Sequence, residues 1–188
     1  MIRSFRSRWP QIAASAYIDS AATVIGDVTI GEQASVWPSV VIRGDVHWIR
    51  IGARTNIQDG TIVHVMGGQY STTLGDGVTV GHGVILHGCT IESNVLVGMG
   101  AILLNGVQVG AGSIIAAGTL VPERTVIPPG SLFMGHPGKF RRALSPEDIA
   151  GIADYATRYV ELAETYRHEP FASEKGAPEK GSERPAKS

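Results

Sequence analysis

An all-β solenoid of short strands is the fold that the sequence predicts, and three observations predict it. Aliphatic residues recur at intervals of six, at Ile18, Val24, Ile30, Val36 and Ile42 and again in later runs. Glycine often follows the aliphatic residue directly, as in Ile30-Gly31, Ile51-Gly52, Val80-Gly81 and Val109-Gly110. The 188 residues include 24 glycines without proline-rich low complexity around them, which asks for many turns. A six-residue step matches neither a helix nor the roughly 8 to 12 residues between turn signals in a β-sandwich. It fits strands joined by tight corners, where glycine takes up backbone angles that other residues resist. One short strand cannot bury its aliphatic residue, but stacked coils bury a continuous inner ladder.

Taken in order, residues 1–11 form an N-terminal segment that is basic and lacks the apolar core of a secretory signal. A short transit fragment is the alternative there. The solenoid spans residues 12–138. After Ile42 its series resumes with Ile51, Ile57 and Val63, and again with Leu74, Val80 and Leu86. It then continues through Ile91, Val97, Leu103, Val109, Ile115, Val121, Ile127 and Phe133. Insertions at residues 43–50 and 64–73 are expected to bulge from corners. Residues 139–168 hold a C-terminal α-helix, in which Ser145 caps the first turn and Pro146 suits the first helical position. Glu147 and Asp148 favour the positive end of that helix. Ile149, Ile152, Ala153, Ala156, Val160 and Ala163 make one apolar stripe, suited to packing along the solenoid. The polar, proline-rich stretch 169–188 is expected to be disordered.

Composition excludes several classes of function. Sixteen basic and seventeen acidic side chains nearly cancel, which removes the electrostatic case for nucleic acid or a membrane surface as partner. No apolar run approaches the roughly 20 residues of a membrane span. The single cysteine, Cys89, rules out an intrachain disulfide and fits a reducing compartment, so a cytoplasmic protein is expected.

The segments "IGEQAS", "VGHGVI", "VGMGAI" and "VGAGSI" resemble the hexapeptide-repeat proteins. The resemblance covers about residues 12 to 138. It implies a left-handed parallel β-helix, a triangular prism with three hexapeptides per coil, commonly assembled as a homotrimer. Counting faces on such a prism puts Ile42, Val63 and Leu86 in successive coils of one face. His64 and His87 each follow one of these residues, so their imidazoles stack in adjacent coils about 4.8 Å apart. Both can reach one metal ion at about 2.0–2.1 Å. His82 follows Val80 by two and belongs to the preceding face, pointing away from that pair within its own subunit. In a three-fold trimer a neighbour's His82 supplies the third ligand, so the expected site lies between subunits. Arg43 shares the column of His64, with Asp45 two residues on. Gln58 and Asp59 share the face of His82. Taken singly, corner histidines are most often solvated, and Arg43 with Asp45 or Asp59 is as well suited to holding subunits together.

The combination of RGD, QDG, a histidine and GHxxxxHG resembles the γ-class carbonic anhydrases and their close relatives. That resemblance implies Zn2+, alternatively Fe2+ or Co2+, on His64, His82 and His87. It implies that Gln58 orients the reacting oxygen or the substrate, that Arg43 and Asp59 form an interface ion pair beside the site, and that Asp45 is a neighbouring structural acid. The implied activity is reversible hydration of carbon dioxide to bicarbonate by metal-bound hydroxide. Two departures stand out. Val46 occupies a place where the archaeal type carries a glutamate for proton export, and the loop "MGGQYSTT", residues 66–73, contains no acid. His47 and Tyr70 are the candidate substitutes. The alternatives are therefore a thioesterase or other small-carbonyl hydrolase at the same metal, or a non-catalytic trimeric scaffold or assembly subunit. An acyl-CoA-dependent transferase is more distant.

Overall fold

A computed structural model describes residues 1–169; the expectation for the tail falls, apart from Glu169, outside the described residues. The six-residue series becomes three inward columns of a parallel β-solenoid. One runs Val24, Ile42, Val63, Leu86, Leu103, Val121, each in register with the next. A second runs Ile30, Ile51, Leu74, Ile91, Val109, Ile127. The third runs Ile18, Val36, Ile57, Val80, Val97, Ile115, Phe133. All but Ile18 are buried and form one continuous core. Each fully buried aliphatic side chain is worth about 1.5–3 kcal/mol relative to an exposed one, and the stack collects that gain coil by coil. Corners are tight: a Cβ on Gly98 would sit 2.4 Å from the backbone nitrogen of Ala117, so only glycine fits there.

Two of the three faces join through the long strands Thr23–Ile30 and Val41–Ile51 into a 12-stranded sheet. The third face is an 8-stranded sheet. The N-terminal segment contributes to the solenoid, because Ile2–Arg3 and Gln11–Ile12 both pair with Thr23–Ile30. At the other end Ser131–Gly135 pairs antiparallel with Gly138–Ala143. That last strand exposes Lys139, Arg141 and Arg142, a charged edge that discourages pairing with another chain.

The helix spans Pro146–His168, after the antiparallel strand has used residues 138–143. Ser145 is its N-cap and forms a reciprocal capping box with Asp148. Ile152, Ala156 and Ala163 are its buried residues, whereas Ala153 and Ile149 of the expected stripe are exposed. Trp37 accounts for the rotation. Tyr159 and Tyr166 both meet its ring edge-on, at centroid distances of 5.4 and 5.1 Å. The helix thus lies along the 8-stranded face of its own subunit, tied at its far end by Arg167 donating to the Ser15 carbonyl at 2.7 Å.

Candidate metal centre

His64 ends the strand Ile62–His64 and His87 ends Ile85–His87, and the two are direct partners across the parallel ladder. Burial of Val63 and Leu86 turns the following residue outward on the same face, so both rings project from one edge of the prism. His64 Nδ1 lies 3.2 Å from His87 Nε2. The expected stacking is present.

A single polar string runs through this pair. Arg43 donates to Asp45 Oδ2, and Asp45 Oδ1 lies 3.0 Å from His64 Nε2. On the other side His87 Nδ1 lies 2.8 Å from Asn105 Oδ1, and Asn105 Nδ2 donates to Glu123 Oε1 at 3.0 Å. Donor and acceptor rules then assign the protons. Asp45 is ionised and accepts from His64, so His64 carries its proton on Nε2. Glu123 accepts from the Asn105 amide, so Asn105 offers its oxygen to His87, which carries its proton on Nδ1. The two nitrogens that face each other are therefore both lone pairs. Neutral imidazoles meeting lone pair to lone pair suit a shared cation, with the far nitrogens held by second partners as in metal-bound histidines generally.

Electrostatics agree with that assignment. Burial pushes the His64 pKa below its ordinary value, and Arg43 and His87 act in the same direction against the opposing pull of Asp45. A neutral ring is the form that binds metal. Burial alone would raise the Asp45 carboxyl, but the hydrogen bonds from His64 and Arg43, with the charge of Arg43, outweigh it and hold the pKa low.

His82 stands elsewhere in the chain. It lies on the 8-stranded face, half exposed, with Nδ1 2.9 Å from Asp59 Oδ2. Its Nε2 has no hydrogen-bond partner among the described residues, so one ring nitrogen is engaged by an outer partner, as in the other two rings. Among the described residues of one chain, no three His, Cys, Asp or Glu side chains close on a common point. The chain thus brings His64 and His87 together and keeps His82 apart. Gln58 is buried in the same face and donates to Asn56 Oδ1 at 3.1 Å. Beside Gln58 and His82 opens a mostly apolar pocket of about 270 Å³, walled by Leu96, Met99 and the helix residues Tyr155 and Tyr159. Arg43 pairs with Asp45 within the subunit, and Asp59 is engaged by His82, so the Arg43–Asp59 pair is not formed inside one chain. His47 turns Nδ1 toward the backbone N–H of Trp48 rather than toward the pair. Cys89 is buried, as a small core residue.

Asn105, Glu123 and the two helix tyrosines were not singled out from sequence. A signal for Asn105 exists: "LLNG" at residues 103–106 repeats the corner pattern of "ILHG" at 85–88.

Comparison with known proteins follows the same lines. Residues 88–123 match the family model "Bacterial transferase hexapeptide (six repeats)". A carbonic anhydrase of Geobacillus kaustophilus is 48% identical over 167 residues, covering 89% of this chain and 91% of its own. Gamma carbonic anhydrase 1, mitochondrial, of Arabidopsis thaliana is 44% identical over 165 residues; the match covers 85% of this chain and 60% of the plant protein. A solved hexapeptide transferase family protein from Anaplasma phagocytophilum superposes with a TM-score of 0.84 at 39% identity, covering 88% of this chain and 97% of that one. The solenoid is common to transferases and carbonic anhydrases; with named carbonic anhydrases 44–48% identical over 85–89% of its length, the chain belongs to the γ-class carbonic anhydrase family.

Proposed function

We propose that this protein is a zinc-dependent carbonic anhydrase that works as a homotrimer, with each metal ion held by His64 and His87 of one subunit and His82 of the partner subunit. The observation that carries the proposal is the pair of facing imidazole nitrogens, 3.2 Å apart, each on a ring whose other nitrogen is engaged by an outer partner. Fe2+ and Co2+ fit the same three neutral nitrogens. Zn2+ so bound supplies an acidified water and an electrophile for carbon dioxide chemistry.

The remaining work falls to the chain itself. Asp45 and Asn105 fix the two rings of one edge, and Asp59 fixes His82. The buried Gln58, already anchored on Asn56, presents an amide beside His82 that can hold a small oxygenated substrate. Leu96 and Met99 give that substrate an apolar wall. Support for the trimer comes from the outward residues of the histidine face. Val41, Ile62, Ile85, Ile102 and Leu120 form an apolar ladder in register, with Ile62 44% exposed. A sheet face of this kind is suited to a second copy of the chain. No helix among the described residues is long and apolar enough to cross a membrane. A reducing, cytoplasmic setting, with no nucleic acid or membrane partner, completes the proposal.

The test combines metal analysis with subunit mixing. The purified protein is expected to hold about one divalent ion per subunit. His82→Ala and His87→Ala each lose the metal alone. Co-assembled trimers of the two variants regain a fraction of the sites, because some interfaces combine two intact edges. Native protein that takes up no zinc, iron or cobalt would remove the metal-dependent reading. Metal-loaded protein with no carbon dioxide hydration but with thioester cleavage would move the assignment to a hydrolase of small carbonyl compounds.

A further inference from the structure

We infer that Asn105, oriented by Glu123, is a positioning residue for the metal site: it holds His87 in the tautomer and ring orientation that direct Nε2 toward the cation. The inference rests on the metal reading above and adds residues to it. His64 and His82 each lean on a carboxylate, but His87 leans on an amide. An amide has two ends of nearly equal shape, one accepting and one donating. Nothing in Asn105 itself decides which end faces His87. Glu123 decides it, because a carboxylate can only accept and so claims Nδ2. The oxygen is then left for His87, which must donate from Nδ1.

Corner geometry shows that this contact is built in. Leu86 to Ile91 is a step of five residues, whereas Leu103 to Val109 is a step of six. The additional residue brings Asn105 over the shorter His87 corner, where Gly106 N–H donates to the Gly88 carbonyl at 2.7 Å. Gly88, directly after His87, has φ +62°. A Cβ there would lie 2.6 Å from Asn105 Oδ1 and 2.7 Å from the Tyr70 Cβ. The amide reaches the ring only because that position carries no side chain.

A carboxylate in place of the amide would also accept from His87, but it would stand against Glu123 with like charge and no shared proton. Exchanging the two groups restores the string. The test therefore compares Asn105→Leu, Asn105→Asp and the double variant Asn105→Asp/Glu123→Gln in the full-length protein. Zn2+ affinity is measured by chelator competition, and the visible absorption of the Co2+-loaded form reports ligand geometry. Thermal unfolding without metal serves as the control for simple structural damage. Asn105→Leu is expected to bind zinc about 10–100-fold more weakly, the usual effect of losing an outer partner of a metal ligand. Asn105→Asp should fall between it and native, with an altered Co2+ spectrum, and the double variant should return to within about threefold of native. Equal zinc affinities for native, Asn105→Leu and Asn105→Asp would overturn the inference. So would a double variant no better than Asn105→Asp, a comparison that also serves if Asn105→Leu does not fold. Native protein that binds neither Zn2+ nor Co2+ is a different result, because it removes the metal site itself.

Discussion

Replacing Asp45 by asparagine tests the proton assignment at the other end of the string. Asp45 accepts from His64 Nε2 at 3.0 Å, and its second oxygen takes a hydrogen bond from Arg43. Oδ1 also accepts the Val46 N–H at 2.9 Å, but the full charge of Arg43 holds the single oxygen of an amide on its own side, which turns the NH2 toward His64 and costs the Val46 contact. His64 Nε2 would then accept, and its proton would move to Nδ1, the atom that faces His87 at 3.2 Å. The metal would have to displace that proton and break the new hydrogen bond. A hydrogen bond to a charged group is worth about 1.5–3 kcal/mol. Loss of an outer carboxylate from a metal-bound histidine typically weakens binding about 10–100-fold, or about 1.4–2.7 kcal/mol. The two figures agree, so Asp45→Asn should bind zinc about 10–100-fold less tightly. Stability without metal should fall by less than the site loses in metal affinity, by about 1–2 kcal/mol, because Asp45 is only 14% exposed but its substitute keeps a hydrogen bond from the 43% exposed Arg43 and exchanges one with His64 for another. Chelator competition measures the first quantity and urea unfolding of the apo-protein the second. Zinc affinity within about twofold of native would refute the tautomer reasoning.

Further predictions concern the frame around the site. Leu103 is fully buried between Leu86 and Val121, so Leu103→Ala should lower unfolding stability by about 2.7–5 kcal/mol, measured by urea denaturation; a loss below about 1 kcal/mol would mean the inward ladder is loosely packed. Burial alone would raise the Asp27 carboxyl, but hydrogen bonds from Arg50 and Arg8 and their charges hold its pKa below the ordinary value. A group with a depressed folded pKa contributes stability above its unfolded pKa, about 3.9, and loses it as pH falls through the folded pKa. Native protein should therefore exceed Asp27→Asn in stability near neutrality, with the gap closing below about pH 4; a gap that widens in acid would contradict the sign. Burial pushes the Cys89 thiol up to about 12, so it should resist alkylation in folded protein and react promptly in denaturant.

Much of the fold was legible because a solenoid writes its register into its spacing. Each inward aliphatic must sit over the one a coil below, so the six-residue period carries the columns Val24 to Val121 and Ile30 to Ile127 without reference to anything distant. The same counting put His64 over His87 and set His82 on another face. Counting fails at corners and edges. The helix stripe rotated because Trp37, more than a hundred residues earlier, offers a ring to Tyr159 and Tyr166. Ile2–Arg3 entered the sheet because Thr23–Ile30 had a free edge to pair.

The linear order of residues determined by itself a solenoid with a six-residue step; the three-sided coil implied by the family resemblance then put two histidines in register and a third apart. Only the tertiary structure decided which partner each ring nitrogen faces, Asp45 for His64, Asn105 for His87 and Asp59 for His82. Periodicity controls what points inward, since misplacing an aliphatic residue costs burial along the whole column. The outward partners depend instead on how far each corner reaches, and that distance changes where one coil is a residue shorter than the next. Asn105 reaches His87 across such a mismatch, over a glycine that makes room for it.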